Sequence, residues 1–164
     1  MAKRSKSVDR VRQALLELGV EATPIELDQS TRTAQLAADA LGVPLGSIVK
    51  SLVFIADGSG VLALVAGDCR ADTAKIAAIC GAQQVRLASA DEVRELTGYA
   101  VGGVPPVGHR TAMPVLVDSS LWRFQLLHAA AGAPQAVFPI TLDELMRVTG
   151  GRRVDIVEED GPTG

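Results

Sequence analysis

Lys50 is the charged residue whose sequence surroundings are least typical of a structural role. It lies inside the run 48–55, IVKSLVFI, in which every other residue except Ser51 is apolar. Strand alternation places it on the same face as Leu52 and Phe54, and a buried ammonium needs an anion or a water-filled cleft. Two interpretations stay open: a functional cation, or a strand-edge lysine whose stem runs along apolar surface to solvent.

The segment 102–109, GGVPPVGH, has the composition of a stiff loop with few side chains. Its glycines allow positive φ and a close approach of the backbone, and its prolines fix φ and remove two amide donors. Such a loop can direct a few N–H groups towards a carbonyl, carboxylate or phosphate oxygen. It is not a phosphate-binding P-loop, because no G-K-[ST] follows. An ordinary connecting turn is the alternative.

Asp118 ends a short apolar segment and precedes Ser119 and Ser120. Capping a turn or helix is the commoner role of such an aspartate, and contact with a substrate amine or hydroxyl is the alternative. The sequence has no G-x-S-x-G motif, so a serine-hydrolase triad is not expected. Two histidines and two scattered cysteines do not suggest zinc, and no metal or cofactor is expected. His128 is expected to be a hydrogen-bonded strand histidine.

A mixture of helices and hairpins must position these residues. Two apolar runs around DGSG and two around AGAPQ predict β-hairpins, and short strands are expected at 84–87, 115–117 and 154–156. Capping boxes and glycine stops mark helices. The expected helices begin near Ser7, Ser30 or Thr31, Asp72, Ser89 and Thr141, and end at Gly19, Gly42, Gly81, Gly98 and Gly150. The expected fold is α+β, with a mixed, mostly antiparallel central sheet surrounded by helices.

Composition predicts one domain spanning 1–164, with loose ends at about 1–6 and 158–164. A net charge of −3 argues against a nonspecific duplex binder but permits contact with one nucleic-acid end. No apolar run resembles a signal peptide or a membrane span, so a cytoplasmic monomer is the expectation. The first helix nevertheless has a basic start, which is either a solvated tail or a contact with RNA phosphates. Its cations are Lys3, Arg4, Lys6, Arg10 and Arg12.

Taken together, these segments resemble the YbaK / prolyl-tRNA synthetase-associated editing domain family. The likeness extends over almost the whole chain, and the order and spacing of its segments carry it. They are RTAQLAADALGVPLGSIVKSLVF, VLALVAGDCRADTAKIA, ELTGYAVGGVPPVGH, VLVDSSL and AAAGAPQAVFPITLDELMRVTG. The resemblance implies a free-standing editing enzyme that deacylates tRNA carrying a wrong, small amino acid, typically on proline tRNA.

The resemblance also implies roles for individual residues. The family's strand lysine matches Lys50, its glycine-x-x-x-proline loop matches 102–106, and its aspartate matches Asp118. Lys50, Gly102, Gly103 and Asp118 are therefore the expected catalytic residues. Lys50 would hold a phosphate or ribose oxygen of the terminal adenosine, and loop N–H groups would face the ester. The expected substrate-binding residues are Thr31, Thr33, Ser51, Val104, Pro105, Pro106, His109 and Ser119.

An aminoacyl ester is already activated, so the resemblance implies no covalent protein nucleophile. A water, a ribose hydroxyl or the substrate's own side chain would attack, with alanine, cysteine, serine or threonine on proline tRNA as the candidate substrates. The expected partners are the 3′ end of aminoacyl-tRNA and a prolyl-tRNA synthetase. Two alternatives remain: a tRNA- or synthetase-binding module without turnover, and a hydrolase of another small acyl ester.

Overall fold

The structure is a computed structural model that describes residues 6–27 and 33–159 of the 164-residue chain. Within these ranges the chain forms five α-helices and eight β-strands, which confirms the expected α+β class. In chain order they are α1 (Lys6–Glu17), β1 (Ile25–Glu26), α2 (Ala34–Leu41), β2 (Val49–Ala56), β3 (Ser59–Ala66), α3 (Thr73–Cys80), β4 (Val85–Leu87), α4 (Ala90–Thr97), β5 (Val115–Asp118), β6 (Leu126–Ala130), β7 (Ala136–Thr141), α5 (Leu142–Thr149) and β8 (Arg152–Val154).

The strands form a five-stranded sheet in the order β4-β2-β3-β5-β8 and a three-stranded sheet in the order β1-β7-β6. Pairing is antiparallel throughout the smaller sheet and on both sides of β2. Only the β3–β5 and β5–β8 pairs of these two sheets are parallel. The prediction of a mixed, mostly antiparallel sheet is therefore confirmed.

The outer edge of β2 is divided between the two sheets. At its carboxyl end it pairs with β4, where the Ala88 N–H donates to the Val53 carbonyl at 2.9 Å. Just before its amino end, Ile48 forms a parallel bridge with His128 of β6. In the described chain no strand pairs with this edge over residues 49–52. Because alternate residues direct their polar backbone groups to the same edge, those of Ser51 face the gap, as the Val53 carbonyl faces β4.

The turn of the β2–β3 hairpin has the backbone conformation that its sequence favours. Asp57 and Gly58 both have positive φ, 48° and 87°, as a two-residue type I′ turn requires. The Asp57 carboxylate also accepts the N–H groups of Gln83 and Gln84, which fixes the start of β4 against the turn. The hairpin predicted around DGSG is confirmed.

Helices cover both faces of the larger sheet. Side chains of α1, α4 and α5 pack with Leu62 and Leu64 in the main core, while Ile76 of α3 packs with Phe54 on the opposite face. Both faces of β2 are therefore buried, as the apolar run 48–55 indicated. Within the described residues, no helix has the length and apolarity needed to cross a membrane.

β1 was not expected from the sequence, and the boundaries of α2 and β8 differ from the expectation. Thr33 caps α2, accepting the Leu36 N–H at 3.1 Å, while the expected start at Ser30 or Thr31 lies outside the described residues. The last strand was expected at 154–156 but β8 ends at Val154. The chain leaves the ladder there because the Ile156 N–H donates to the Asp118 carboxylate instead.

Candidate active-site cleft

A cleft of about 530 Å³ opens at the unpaired edge of β2. Six consecutive residues of the segment 48–53 line it, so side chains from both faces of the strand contribute. This is possible because the cleft lies beside the strand and not on one face of the sheet. The other lining residues are Thr33, Ala34, Gln35, Ala37, Leu45, Gly67, Leu87, Ala88, Val93, Val101, Gly102, Val104, Ala130, Pro134 and Val137.

Lys50 supplies a positive charge to the cleft lining. Its side chain is half-buried, and its ammonium donates a hydrogen bond to the Cys69 carbonyl. Burial lowers the pKa of Lys50 from its ordinary value. Within the described residues Lys50 forms no ion pair, since the nearby Asp68 carboxylate is bound by Arg123 at 2.6 Å. The charge is therefore available to an anionic group that enters the cleft.

The loop 102–106 borders the same cleft, although it is distant from Lys50 in the sequence. Gly102, at φ +90°, and Val104 both line it. In the described part of the chain their N–H groups donate no hydrogen bond, whereas the Gly103 N–H donates to the Ala100 carbonyl at 3.0 Å. Gly103 was expected to help hold the ester, but its amide is already used. Gly102 and Val104 are the donors that remain.

Gly103 instead lets the loop pack against the β6–β7 turn. A β-carbon at Gly103 would lie 2.9 Å from the backbone N and Cα of Ala133, which is too close for any side chain. The missing side chain therefore sets the position of its neighbours Gly102 and Val104.

Replacing Gly103 by alanine is expected to reduce, at least tenfold, the catalytic efficiency of the deacylation that the family resemblance implies. Relief of the backbone clash requires the loop to move, and overpacking costs about 1–3 kcal/mol of unfolding free energy. Steady-state kinetics and urea unfolding measure both effects. Gly58→Ala is the control: it strains a positive φ in the β2–β3 turn, where a β-carbon has no neighbour within 4 Å. Equal activity of Gly103→Ala and Gly58→Ala would contradict a positioning role for Gly103.

The rest of the loop lies behind the lining. Pro105 and Pro106 are buried and neither lines the cleft. The Nε2 of His109 lies 2.6 Å from the Pro105 carbonyl, and since a carbonyl only accepts, Nε2 must carry a proton. Burial lowers the pKa of His109. The structure therefore places Pro105, Pro106 and His109 outside the cleft lining, where His109 is bound to the backbone of its own loop.

Asp118 and Ser119 are also placed outside the lining. Asp118 is 1% exposed, and its two carboxylate oxygens accept the N–H groups of Ile156 at 2.7 Å and Ser120 at 2.8 Å. The Ser119 hydroxyl donates to the Val154 carbonyl at 3.3 Å. The capping alternative describes Asp118 better than contact with substrate, because both oxygens are occupied by the backbone.

Thr33 and Ser51 do line the cleft, as the sequence indicated. The Ser51 hydroxyl is buried and has no hydrogen-bond partner among the described residues. Thr31, which was expected beside Thr33, lies outside the described residues. A buried hydroxyl without a partner is costly, so Ser51 is a natural contact for a polar group of a ligand.

Most of the lining was not identified from the sequence. Val101 and Leu87 are apolar and exposed at 58% and 60%, and both line the cleft. Gly67 also lines it, and a β-carbon there would lie 2.5 Å from the Leu45 carbonyl oxygen. An apolar residue can line a cleft or lie in the core, and its type does not show which. In the same way, an isolated glycine can mark close packing or a turn.

His128 and the two free cysteines, Cys69 and Cys80, lie outside the cleft lining. The Nδ1 of His128 is buried without a partner among the described residues, so the expected hydrogen-bonded histidine is wrong for this atom. Burial lowers the pKa of His128. Within 6–27 and 33–159, no three His, Cys, Asp or Glu side chains are grouped closely enough to hold a metal ion.

The comparisons of this chain with known proteins agree on one family. Residues 28–148 match the model of the aminoacyl-tRNA editing domain. The chain is 36% identical over 140 residues to the uncharacterized protein YwhH of Bacillus subtilis, covering 85% of this chain and 88% of YwhH. It is 38% identical over 120 residues to proline–tRNA ligase of Lactobacillus johnsonii, covering 71% of this chain but only 20% of that enzyme. At 26% identity it matches EbsC of Enterococcus faecalis, named a candidate Cys-tRNA(Pro)/Cys-tRNA(Cys) deacylase, over 71% of this chain and 77% of EbsC.

Solved structures agree with the sequence comparison. A protein described as a candidate trans-editing enzyme for prolyl tRNA synthetase superposes with a TM-score of 0.91 at 44% identity, covering 95% of this chain and 99% of that one. The hypothetical protein APE2540 superposes with a TM-score of 0.84 at 33% identity, covering 91% and 99%. The family match and the whole-chain superposition show that this chain belongs to the aminoacyl-tRNA editing domain family.

Proposed function

We propose that this protein is a trans-editing hydrolase that removes a wrong, small amino acid from tRNA, with proline tRNA as the substrate RNA. Membership of the editing-domain family supports an aminoacyl-tRNA deacylase. The observation that carries the proposal is that Lys50 lines the same cleft as Gly102 and Val104, whose amides donate to no group among the described residues. The 3′ end of aminoacyl-tRNA is the proposed ligand, and a prolyl-tRNA synthetase the proposed further partner.

The cleft can bind both ends of a terminal aminoacyl-adenosine. An anionic or ribose oxygen replaces the Cys69 carbonyl as the partner of the Lys50 ammonium, a charge-assisted contact stronger than a neutral one. The ester carbonyl then lies against the N–H groups of Gly102 and Val104. These donors stabilise the oxyanion as the tetrahedral intermediate forms.

Hydrolysis then needs no protein nucleophile. Water adds to the ester carbon and loses a proton. Where the hydroxyl or thiol of the amino acid adds instead, water then opens the cyclic ester or thioester that forms, and attack by the neighbouring ribose hydroxyl moves the amino acid to that oxygen before water releases it. Collapse of the intermediate breaks the bond to the ribose oxygen, which takes a proton. The protein contributes fixed orientation, which supplies much of the rate enhancement in such reactions.

Selection of the amino acid would be by size and by one polar contact. The lining is mainly apolar and includes Val93 and Ala130, which would limit the size of the amino acid that fits beside the ester. The unpartnered Ser51 hydroxyl offers a hydrogen bond to the ammonium, hydroxyl or thiol of the substrate. The relative EbsC is named for cysteine, so cysteine is one candidate beside alanine, serine and threonine. One methylene changes the binding free energy by only about 1–3 kcal/mol, so a synthetase site alone discriminates poorly between similar amino acids and a separate editing site is useful.

Proline tRNA charged separately with alanine, cysteine, serine, threonine and proline tests the proposal. We expect at least one of the first four esters to be lost at least 100-fold faster than without protein, and proline to be retained. Release of labelled amino acid measures the rate. A protein that binds these RNAs but accelerates no ester would be a binding module, and one that cleaves only small non-RNA esters would be a different hydrolase. Either result would reject the proposal.

A further inference from the structure

Two arginines from distant parts of the chain meet beside the cleft. Arg10 of α1 is exposed, but its guanidinium is held in place: one nitrogen donates to the Gly98 carbonyl at 3.1 Å, and its carbon lies 4.6 Å from the centre of the Tyr99 ring. Arg110, also exposed, follows the loop 102–109. Its backbone N–H donates to the Thr97 carbonyl, which anchors it next to the same turn.

The two side chains converge on one point. The β-carbon that Gly98 lacks would lie 3.6 Å from an Arg10 nitrogen and 3.9 Å from the Arg110 Nε. Among the described residues neither guanidinium forms an ion pair. These two nitrogens are therefore at most about 7.5 Å apart, and like charges at such a separation repel one another until an anion binds to both.

The pair is also close to the mouth of the cleft. Gly102 follows Gly98 by four positions, so at most about 14 Å of extended chain connects them. The first turn of α1 packs against the cleft wall, since a β-carbon at Gly132 would lie 2.6 Å from the Ser7 carbonyl oxygen. Pro134, two residues on, lines the cleft. An RNA strand leaving the cleft on this side passes the arginines within one or two nucleotides.

We propose that Arg10 and Arg110 bind the RNA backbone immediately upstream of the terminal adenosine, through the phosphates of the single-stranded 3′ end. This inference rests on the proposed function and names the surface that guides the RNA. Guanidinium groups suit the task because each can donate two parallel hydrogen bonds to a phosphate. Arg10 stacks on Tyr99 and donates a hydrogen bond to the Gly98 carbonyl, so its side chain loses little conformational entropy when it binds RNA.

The double variant Arg10→Gln/Arg110→Gln tests the surface, with Arg12→Gln as the matched control. Arg12 is exposed on the same helix, about 200° around its axis from Arg10. Deacylation is measured on the full aminoacyl-tRNA and on the same amino acid esterified to adenosine alone. We expect the double variant to lose about tenfold more catalytic efficiency on tRNA than on the adenosine ester. We also expect its slope of log efficiency against log salt to fall by about 1–2.

Further measurements separate this inference from the proposed function. Binding of an uncharged RNA hairpin ending in the single-stranded 3′ sequence is followed by fluorescence anisotropy, which does not depend on hydrolysis. Loss of the salt-dependent binding in the double variant, with retention in Arg10→Lys, supports the surface even if no ester is cleaved. Equal losses on both esters, or double-variant binding no weaker than that of Arg12→Gln, would overturn it.

Discussion

Replacing Lys50 by methionine is expected to lower the catalytic efficiency of deacylation roughly 10- to 100-fold. Methionine keeps much of the apolar stem and removes the ammonium, so the loss reports a charged hydrogen bond worth about 1.5–3 kcal/mol. If Lys50 holds a group that does not change during the reaction, the effect is expected mainly in KM. Initial rates over a range of aminoacyl-tRNA concentrations measure the two constants separately.

Lys75→Met is the matched control for this prediction. The Lys75 ammonium also donates to a backbone carbonyl, that of Val157 at 2.8 Å, but Lys75 does not line the cleft. The control should stay within twofold of wild type. Equal rates for Lys50→Met and wild type would remove Lys50 from the site.

The pH dependence of the deacylation rate tests the role of the Lys50 charge independently. Since burial lowers the pKa of this lysine below 10.5, its ammonium is lost at a lower pH than in a free lysine. The ratio of the wild-type rate to the Lys50→Met rate should therefore decline as pH rises through the lowered pKa. A ratio that stays constant through the alkaline range would contradict a role for the positive charge.

Replacing Asp118 by asparagine is expected to destabilise the fold by roughly 2–4 kcal/mol. An asparagine can accept only one of the N–H groups of Ser120 and Ile156, and its own amide would face the other. Loss of a charged acceptor and burial of an unsatisfied donor together account for this magnitude. Urea unfolding measures the change, and kinetics well below the unfolding transition measure the activity that remains.

Asp155→Asn provides the control, because Asp155 is exposed in the same segment. Such surface substitutions usually change stability by less than about 0.5 kcal/mol. We expect folded Asp118→Asn to keep its efficiency within about threefold of wild type. If the variant is as stable as wild type but more than 100-fold slower, the result would support the substrate contact of Asp118 that the family resemblance implies.

Local sequence signals predicted the elements well, because each depends on residues close together in the chain. The capping boxes at Ser89 and Thr141 are both formed, and the expected glycine stops end α2 to α5. The hairpin at DGSG needs only the positive φ that Asp57 and Gly58 adopt. The exception, β8, was displaced by a side chain from another strand, Asp118, that no local pattern reveals.

The individual roles of site residues were predicted less well. His109 ends the glycine- and proline-rich loop, and Asp118 ends a strand. The sequence alone could not show whether these polar side chains contact the substrate or stabilise the surrounding backbone. The position of Asp118 depends on the Ile156 amide, 38 residues away, and that of His109 on the folding of its own loop, which brings the Pro105 carbonyl to Nε2. Arg10 was one of several basic residues at the start of α1 until its proximity to Arg110 distinguished it.

The sequence by itself determined the α+β class and the order of every helix and strand except β1, and together with the family resemblance it identified the two segments, around Lys50 and Gly102, that border the cleft. These follow from apolar periodicity, from turn chemistry and from one lysine in an apolar run. Only the tertiary structure decided that the edge of β2 stays open between β4 and β6, and which loop amides remain free. The reason is physical: a cleft and its hydrogen bonds depend on the separation of atoms that are far apart in the chain.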